Sequence, residues 1–148
     1  REGGLIAYPT DSCYALGCHI GDKDALERIR RLRQADRHHH FTLVCRDLTE
    51  IARYAKVDTW QFRLLKACTP GPYTFILEAT RETPRRLQHE KRRTIGIRVP
   101  DHPVPQMLLT EQNVGTTNTK LTGGVAHRCR SIAATAALVK HKWPVNRS

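Results

Sequence analysis

The sequence predicts an α/β fold built on a mixed sheet, because strand-like and helix-like segments interleave along most of the chain. Short apolar or alternating runs, typical of strands, are separated by stretches whose apolar residues recur at helical spacing. With 148 residues, the chain is large enough to bury a hydrophobic core. No repeat, low-complexity linker or boundary precedes Gly124, so we expect one domain over 1–124 and a tail over 125–148.

The first half of the chain predicts strands at 5–8 and 41–45, each an apolar or β-branched run. Between them, an amphipathic helix is expected from Asp22 to about Gln34. The residues expected on its inner face are Ala25, Leu26, Ile29 and Leu32.

Two further helices are expected after Asp47, which forms a capping-box pattern with Glu50, and after Asp58. In the second of these helices, the residues expected to face inward are Trp60, Leu64 and Leu65. In the tail, 131–142 can form one more helix.

The second half of the chain begins at a clear turn, Pro70-Gly71-Pro72. A short helical turn at 84–87 and a helix over 106–110 separate the strands that follow. These strands are expected at 73–79, 94–99 and 114–117. The run 94–99 alternates with period two and fits a strand with one buried face.

The net charge carries the strongest functional signal. Lysine and arginine total 25 against 14 acidic residues, which gives +11 at pH 7. Most of these cations are arginines, whose guanidinium group binds phosphate through paired hydrogen bonds. A clustered excess of this size predicts a polyanionic partner or an anionic substrate, with plain solubility as the alternative.

The five cysteines are scattered and form no CxxC pair, so we expect reduced thiols and no zinc or other metal site. His38–His40 are interpreted as loop residues, or as phosphate contacts when protonated. No apolar run is long enough for a membrane helix, and the opening residues do not form a signal-peptide core. These features predict a cytoplasmic protein with no membrane partner.

Three segments place hydroxyl or basic residues at expected strand ends, namely 8–12, 33–40 and 116–123. Hydroxyls, backbone amides and cations that converge at strand ends suit a bound triphosphate. None of these segments contains a GxxxxGK[ST] or GxGxxG motif, so neither standard nucleotide fold is indicated.

Three ordered motifs resemble the YrdC/YciO family. Residues 3–17 (GGLIAYPTDSCYALG) resemble its opening signature, and 69–76 (TPGPYTFI) resemble its PGPxTxxL element. Residues 93–103 (RTIGIRVPDHP) resemble its xxxRxPxHP element. The segments 41–43 and 90–96 are most similar to the YciO branch.

The resemblance implies a YrdC-like twisted open mixed sheet with helices and a basic concave face, here apparently lacking some terminal elements. It also implies a function in tRNA modification or in RNA binding. Members of the family include threonylcarbamoyl-AMP synthases, which condense ATP, L-threonine and bicarbonate, usually with Mg²⁺, for modification of a tRNA adenosine. Members of the fold also bind double-stranded RNA and tRNA.

Position by position, the resemblance implies amino-acid contacts at Thr10, Ser12 and Arg98. The ATP or phosphate contacts it implies are Arg33, Thr94, Thr117, Asn118 and Lys120. Thr10 and Ser12 could also be ordinary turn residues, and Arg98 could bridge a core carboxylate.

Two motifs depart from the family pattern. The KxR motif of active synthases is Arg33-Gln34-Ala35 here, and their serine-x-asparagine pair is replaced by Asn118 and Lys120. Loss of the arginine at position 35 removes one phosphate contact, and such a loss costs about 3 kcal/mol of transition-state stabilisation. The departures favour binding over catalysis.

The leading hypothesis is a YciO-like protein that binds structured RNA (tRNA or rRNA) and ATP, with a role in tRNA modification or RNA maturation. The alternative is an L-threonylcarbamoyladenylate synthase. The expected RNA contacts are Arg28, Arg30, Arg31, Arg37, Lys91, Arg92 and Arg93, which could also be no more than solvated surface. Because aromatics are few, shape recognition of structured RNA fits better than base stacking.

Overall fold

The computed structural model describes residues 4–12, 14–34, 40–111, 124–127 and 135–137. Within these ranges the chain forms strands, four α-helices and one 3-10 turn at Arg85–Leu87. The strands are β1 (Leu5–Pro9), β2 (Tyr14–His19), β3 (Thr42–Val44), β4 (Ala55–Lys56), β5 (Thr74–Ala79), β6 (Thr94–Arg98), β7 (Gly124–His127) and β8 (Thr135–Ala137). The helices are α1 (Lys23–Leu32), α2 (Leu48–Tyr54), α3 (Thr59–Cys68) and α4 (Pro103–Glu111).

All of these strands join one mixed sheet, as the alternating sequence pattern predicts. The strand order is β1-β2-β7-β3-β6-β5-β4, and β8 pairs with β5. β3 runs parallel to β6, with Val44 opposite Arg98, while β5 runs antiparallel to β6. The α/β fold with a mixed sheet is therefore confirmed. β6 lies inside the sheet, flanked by β3 and β5.

Aspartate side chains begin the first three helices. Asp22 accepts a hydrogen bond from the amide of Ala25, and Asp47 accepts one from Glu50. Asp58 and Gln61 form a reciprocal capping box across the first turn of α3. These bonds satisfy amides that have no partner within the helix, which is why the sequence locates the helix starts well.

The hydrophobic core lies between one face of the sheet and helices α1, α2 and α3. From β6 it contains Ile95 and Ile97, and from α3 it contains Leu65. The buried residues of α1 and α2 in the same cluster are Ala25, Leu26, Ile29, Ile51 and Tyr54. Burying an isoleucine or leucine side chain contributes about 2 kcal/mol, so this cluster fixes the helices on that face.

Two residues expected to face inward are exposed instead. Leu32 is 65% exposed, because the last turn of α1 lies outside the core, as its exposed neighbours Arg31 and Arg33 indicate. Trp60 is 52% exposed at the start of α3, a helix whose one fully buried residue is Leu65. The apolar spacing identified both helices but not where each leaves the core.

Two elements were predicted after residue 111: a strand at 114–117 and a helix within 131–142. The predicted strand at 114–117 lies outside the described residues. Part of the interval 131–142 that could form a helix is strand β8, which pairs with Thr74–Ile76 of β5. Alanine favours a helix locally, but pairing with a neighbouring strand overrides that weak preference. β7 begins at Gly124, where the sequence places the end of the domain.

No helix in the described part of the chain is long and apolar enough to cross a lipid bilayer.

Candidate functional site

The candidate site lies on the sheet face opposite the helical core. Side chains alternate along β6, so Ile95 and Ile97 enter the core while Thr94, Gly96 and Arg98 share the other face. Thr94 and Arg98 are four residues apart, roughly 13 Å along an extended strand. The sequence-predicted ATP residue Thr94 and amino-acid residue Arg98 therefore lie on one face at opposite ends of one strand.

Threonines on the neighbouring strands flank the centre of this face. A Cβ placed on Gly96 would lie 3.4 Å from Thr74 Cγ2 and 3.5 Å from Thr42 Oγ1. Thr42 belongs to β3 and Thr74 to β5. A side chain at position 96 would fill the space between the two threonines, so glycine leaves this part of the face open.

Thr42 and Thr74 were not predicted from the sequence as residues of this face. Alternation within their strands places them on the outer face, but only the pairing of three separate strands brings them around Gly96. A search for polar residues at outward positions of buried strands would have found both.

A buried ion pair closes the Arg98 end of the face. Arg98 Nη2 donates to Asp11 Oδ1, and the other oxygen of Asp11 accepts from the amide of Asp101 at 3.1 Å. The two side chains are only 10% and 12% exposed. Asp11 therefore fastens the turn after β1 to the turn after β6. The sequence suggested a core carboxylate for Arg98 as one alternative but did not identify Asp11.

One nitrogen of the Arg98 guanidinium does not take part in this ion pair. This nitrogen, Nε, is buried and has no hydrogen-bond partner among the described residues. A buried donor without a partner is unfavourable, and a planar guanidinium is suited to a second carboxylate or a phosphate. Arg98 could therefore hold both Asp11 and an anion.

Thr10 and Ser12 lie in the turn that carries Asp11. Their hydroxyls are 3.2 Å apart, and the amide of Ser12 donates to Thr10 Oγ1 at 3.3 Å. Both residues are half-buried. The sequence-predicted amino-acid contacts Thr10, Ser12 and Arg98 are thus brought together around Asp11, where the hydroxyls also stabilise the turn.

Tyr8 lies near enough to Arg98 to be influenced by its charge. It is buried, and burial raises the pKa of its phenol, an effect that the positive charge of Arg98 partly offsets. Tyr8 is therefore a neutral hydroxyl at any ordinary pH. Its place at the end of β1 comes from the pairing of β1 with β2.

The basic residues predicted on α1 are not equivalent. Arg28, Arg31 and Arg33 are exposed. Arg30 is different: its side chain is 16% exposed, and its guanidinium lies 5.3 Å from the centre of the Phe41 ring and 3.4 Å from Glu27. These contacts withdraw most of Arg30 from the exposed stripe that the sequence predicted.

A second basic group lies in the connection between β5 and β6. Lys91, Arg92 and Arg93 are exposed in the turn that leads into β6, and Arg93 has a φ of 51°. The predicted contacts Arg37, Thr117, Asn118 and Lys120 lie outside the described residues. Among the residues that the structure describes, no group of three His, Cys, Asp or Glu side chains could hold a metal ion.

Curated relatives match from about two thirds to nine tenths of the chain. It is 62% identical to the YciO protein of Escherichia coli K12 over 109 residues, which cover 74% of this chain and 53% of that protein. It is 37% identical to a threonylcarbamoyl-AMP synthase of Chromobacterium violaceum over 105 residues, which cover 69% of this chain and 53% of the synthase. The chain thus spans about half the length of these relatives.

Solved structures share the fold. The crystal structure of E. coli YciO superposes with a TM-score of 0.74 at 53% identity, covering 84% of this chain and 57% of that one. P. abyssi Sua5 in complex with L-threonine superposes with a TM-score of 0.72 at 23% identity, covering 84% of this chain and 34% of that one. The family model Sua5_yciO_yrdC, described as telomere recombination, matches residues 1–145. The chain therefore belongs to the Sua5/YciO/YrdC family.

Proposed function

We propose that the protein binds structured RNA through its basic surface and ATP on the open sheet face, in the context of tRNA modification or RNA maturation. The observation that carries this proposal is the exposure of two arginine-rich groups on a chain with a net charge of +11. The first is Arg28, Arg31 and Arg33 on α1, and the second is Lys91–Arg93. Exposed guanidinium groups in this number favour a partner that carries many phosphates.

Nucleotide binding is supported by the polar character of the open face. The half-buried Thr42 and Thr94 supply hydroxyls, and Gly96 adds no side chain between Thr42 and Thr74. Mg²⁺ would arrive with the triphosphate, because it binds through substrate phosphates and water rather than a dedicated protein cage.

The RNA proposal predicts strongly salt-dependent binding. We expect fluorescence anisotropy with labelled tRNA to show an affinity that falls at least tenfold between about 50 and 200 mM salt, because bound cations release counterions from the phosphates. A single-stranded RNA of equal length serves as the control and should bind more weakly. Affinity that is indifferent to salt would contradict the proposal.

A second candidate function is the synthesis of threonylcarbamoyl-AMP from ATP, L-threonine and bicarbonate. The buried Nε of Arg98 favours it, because an amino-acid carboxylate could take the place beside Asp11. Thr10 and Ser12 lie next to that position and could bind the amino acid through their hydroxyls. The synthase name of a 37% identical relative supports the same reaction class.

In this reaction the residues of the chain would bind the amino acid and the nucleotide and orient them toward each other. Arg98 would fix the amino-acid carboxylate at one end of β6, and Thr94 would lie near the nucleotide at the other. The bound ATP supplies an activated α-phosphate, and positioning together with charge neutralisation would account for most of the acceleration.

The synthase candidate predicts pyrophosphate release from ATP that requires both L-threonine and bicarbonate. Arg98→Ala should lower this turnover about 100-fold or more, as expected for the loss of a charged contact at the reacting substrate. Because Arg98 is also structural, Thr10→Val is measured in parallel, and circular dichroism checks that both variants fold. Turnover that is unchanged in both variants would exclude this site as the place of reaction.

A further inference from the structure

The connection between β5 and β6, residues 80–93, is unusually basic and lies on the surface. Six cations and two acids, Glu82 and Glu90, occur within it. The cations are Arg81, Arg85, Arg86, Lys91, Arg92 and Arg93, and all are exposed. None of these six cations forms an ion pair with another described residue. The ion pairs seen in the described part of the chain involve Arg30, Arg46, Lys56 and Arg98 instead. We call residues 80–93 the basic connection.

The basic connection is held firmly despite its length. Thr83 is buried and its hydroxyl donates to the carbonyl of Tyr54 at 2.6 Å. Leu87 is buried in the core cluster, and Gln88 donates to the carbonyl of Thr83 at 2.7 Å. Arg86 donates to the carbonyl of Ile20, just before α1, at 2.8 Å. Its cations are therefore carried by an ordered backbone.

His89 organises the second half of the basic connection. Its Nδ1 accepts hydrogen bonds from the amides of both Lys91 and Arg92, each at 3.2 Å. The backbone closes the same turn, since Arg93 donates to the carbonyl of His89 at 2.9 Å and His89 donates to that of Thr94 at 2.8 Å. The imidazole thus takes the role that an Asn or Asp oxygen takes in an Asx turn.

The ring of His89 is also fixed from the side. It stacks on the ring of His40, with centroids 4.8 Å apart and planes at 28°. His40 directly precedes Phe41 and β3, so this contact joins the basic connection to the chain that follows α1. The acceptor nitrogen is consequently held in place beneath the Lys91–Arg93 turn.

We propose that His89 is a positioning residue that presents Lys91, Arg92 and Arg93 as a preformed surface for the phosphate backbone of duplex RNA. The inference rests on the proposed RNA binding and deepens it by naming the surface and what orders it. Preorganised cations lose less conformational freedom on binding, which raises affinity without any added charge. This surface borders the Thr94 end of β6, away from Arg98.

Duplex RNA fits this surface better than other polyanions. Within 80–93 the one large apolar side chain, Leu87, is buried, so nothing there would insert into a membrane. The connection contains no Phe, Tyr or Trp on which single-stranded bases could stack. Arginine-rich surfaces without aromatics recognise the shape and phosphates of a double helix.

The first test changes the order of the turn without changing the formal charge at pH 7. His89→Ala removes the acceptor, whereas His89→Asn supplies a side-chain oxygen that can accept from the same two amides. With a 20-base-pair RNA duplex in an anisotropy titration, we expect His89→Ala to bind about 3- to 10-fold more weakly, which corresponds to about 0.7–1.4 kcal/mol. His89→Asn should bind within about 2-fold of the wild type.

The second test compares equal losses of charge at two places. Lys91→Ala/Arg92→Ala should lower the slope of log affinity against log salt by about two, because two phosphate contacts are lost. The matched control is Arg63→Ala/Lys66→Ala on α3, whose side chains are exposed elsewhere. The control should change the slope by clearly less.

The outcomes separate the inference from the function on which it rests. Wild-type protein that fails to bind the duplex in a salt-dependent way overturns the proposed RNA binding itself. Wild-type binding that His89→Ala leaves intact, or equal effects of the two double substitutions, overturns only the role of the basic connection. Thermal unfolding of every variant identifies weakening due to misfolding, and rescue by His89→Asn then decides whether the acceptor matters.

Discussion

His19, His89 and His102 each accept backbone hydrogen bonds, a role that their sequence positions do not predict. His89 accepts from two amides, as described above, while His19 accepts from Gly21 at 3.3 Å and His102 from Val104 at 3.2 Å. Each acceptor is Nδ1 and each donor lies two or three residues later, the spacing of an Asx turn. Histidines in this chain therefore stabilise loops as well as contributing potential charge.

The most consequential single contact is the ion pair between Asp11 and Arg98. We expect Asp11→Ala to lower the free energy of unfolding by about 3 kcal/mol, because it leaves a buried guanidinium without its carboxylate. The double variant Asp11→Ala/Arg98→Met should be more stable than Asp11→Ala alone, since the buried charge is gone. Urea unfolding of the two variants and the wild type gives these values.

Comparison within this set distinguishes a charge effect from a packing effect. If Asp11→Ala unfolds within about 0.5 kcal/mol of the wild type, the pair contributes little and the turn is held by other contacts. A double variant less stable than Asp11→Ala would likewise contradict the importance of the unpaired charge.

At the scale of elements, the starts of α1, α2 and α3 were predictable because they depend on residues close in sequence. The fourth helix, α4, begins at Pro103 and not at the expected Gln106. Asp22, Asp47 and Asp58 each cap a helix where the sequence expects one. The capping box expected at Asp47 is modified, because the Glu50 carboxylate accepts from the amide of Arg46 at 2.6 Å instead of that of Asp47. The helix ends and exposed faces were less predictable, since they depend on where the sheet stops.

The cap of α2 predicts a specific pH dependence of stability. Burial raises the pKa of Asp47, but hydrogen bonds from the amide of Glu50 and the side chain of Arg46, with the charge of Arg46, bring it below its usual value. A lowered pKa means that the folded state favours the carboxylate. The stabilisation that the Asp47 carboxylate gives the folded state is therefore fully present above its pKa in the unfolded chain, about 4. It is lost as the pH falls through the pKa of Asp47 in the folded protein.

Asp47→Asn separates the charge from the cap. Asparagine keeps the acceptor oxygen but does not titrate, so the stability advantage of the wild type over Asp47→Asn should shrink as pH falls from about 5. Asp47→Ala, which lacks the cap as well, should cost about 1 kcal/mol at pH 7. Urea unfolding across the pH series measures both effects, and a constant difference between wild type and Asp47→Asn would rule out the charge contribution.

At the scale of the whole molecule, β6 connects the two candidate sites. Its first residue, Thr94, adjoins the basic connection, and its last, Arg98, pairs with Asp11. Because β6 is flanked by β3 and β5 inside the sheet, both ends are held by neighbouring strands. A rigid central strand can thus place the proposed amino-acid site and the proposed RNA surface at a fixed spacing.

The sequence by itself determined the α/β class, the starts of α1, α2 and α3, the strands β1, β3, β5 and β6, and the basic character. These follow from hydrophobic period, capping residues and composition, all of which act locally. The resemblance of its motifs to the YrdC/YciO family placed Thr10, Ser12 and Arg98 in one expected site.

Only the tertiary structure decided which of these residues meet. Asp11 reaches Arg98 across 87 positions, and Gly96 lies between threonines of two other strands. The exposure of Trp60 and the strand pairing of β8 likewise depend on neighbours distant in sequence. Such contacts form because strand order brings separate segments together, and no local pattern encodes that order.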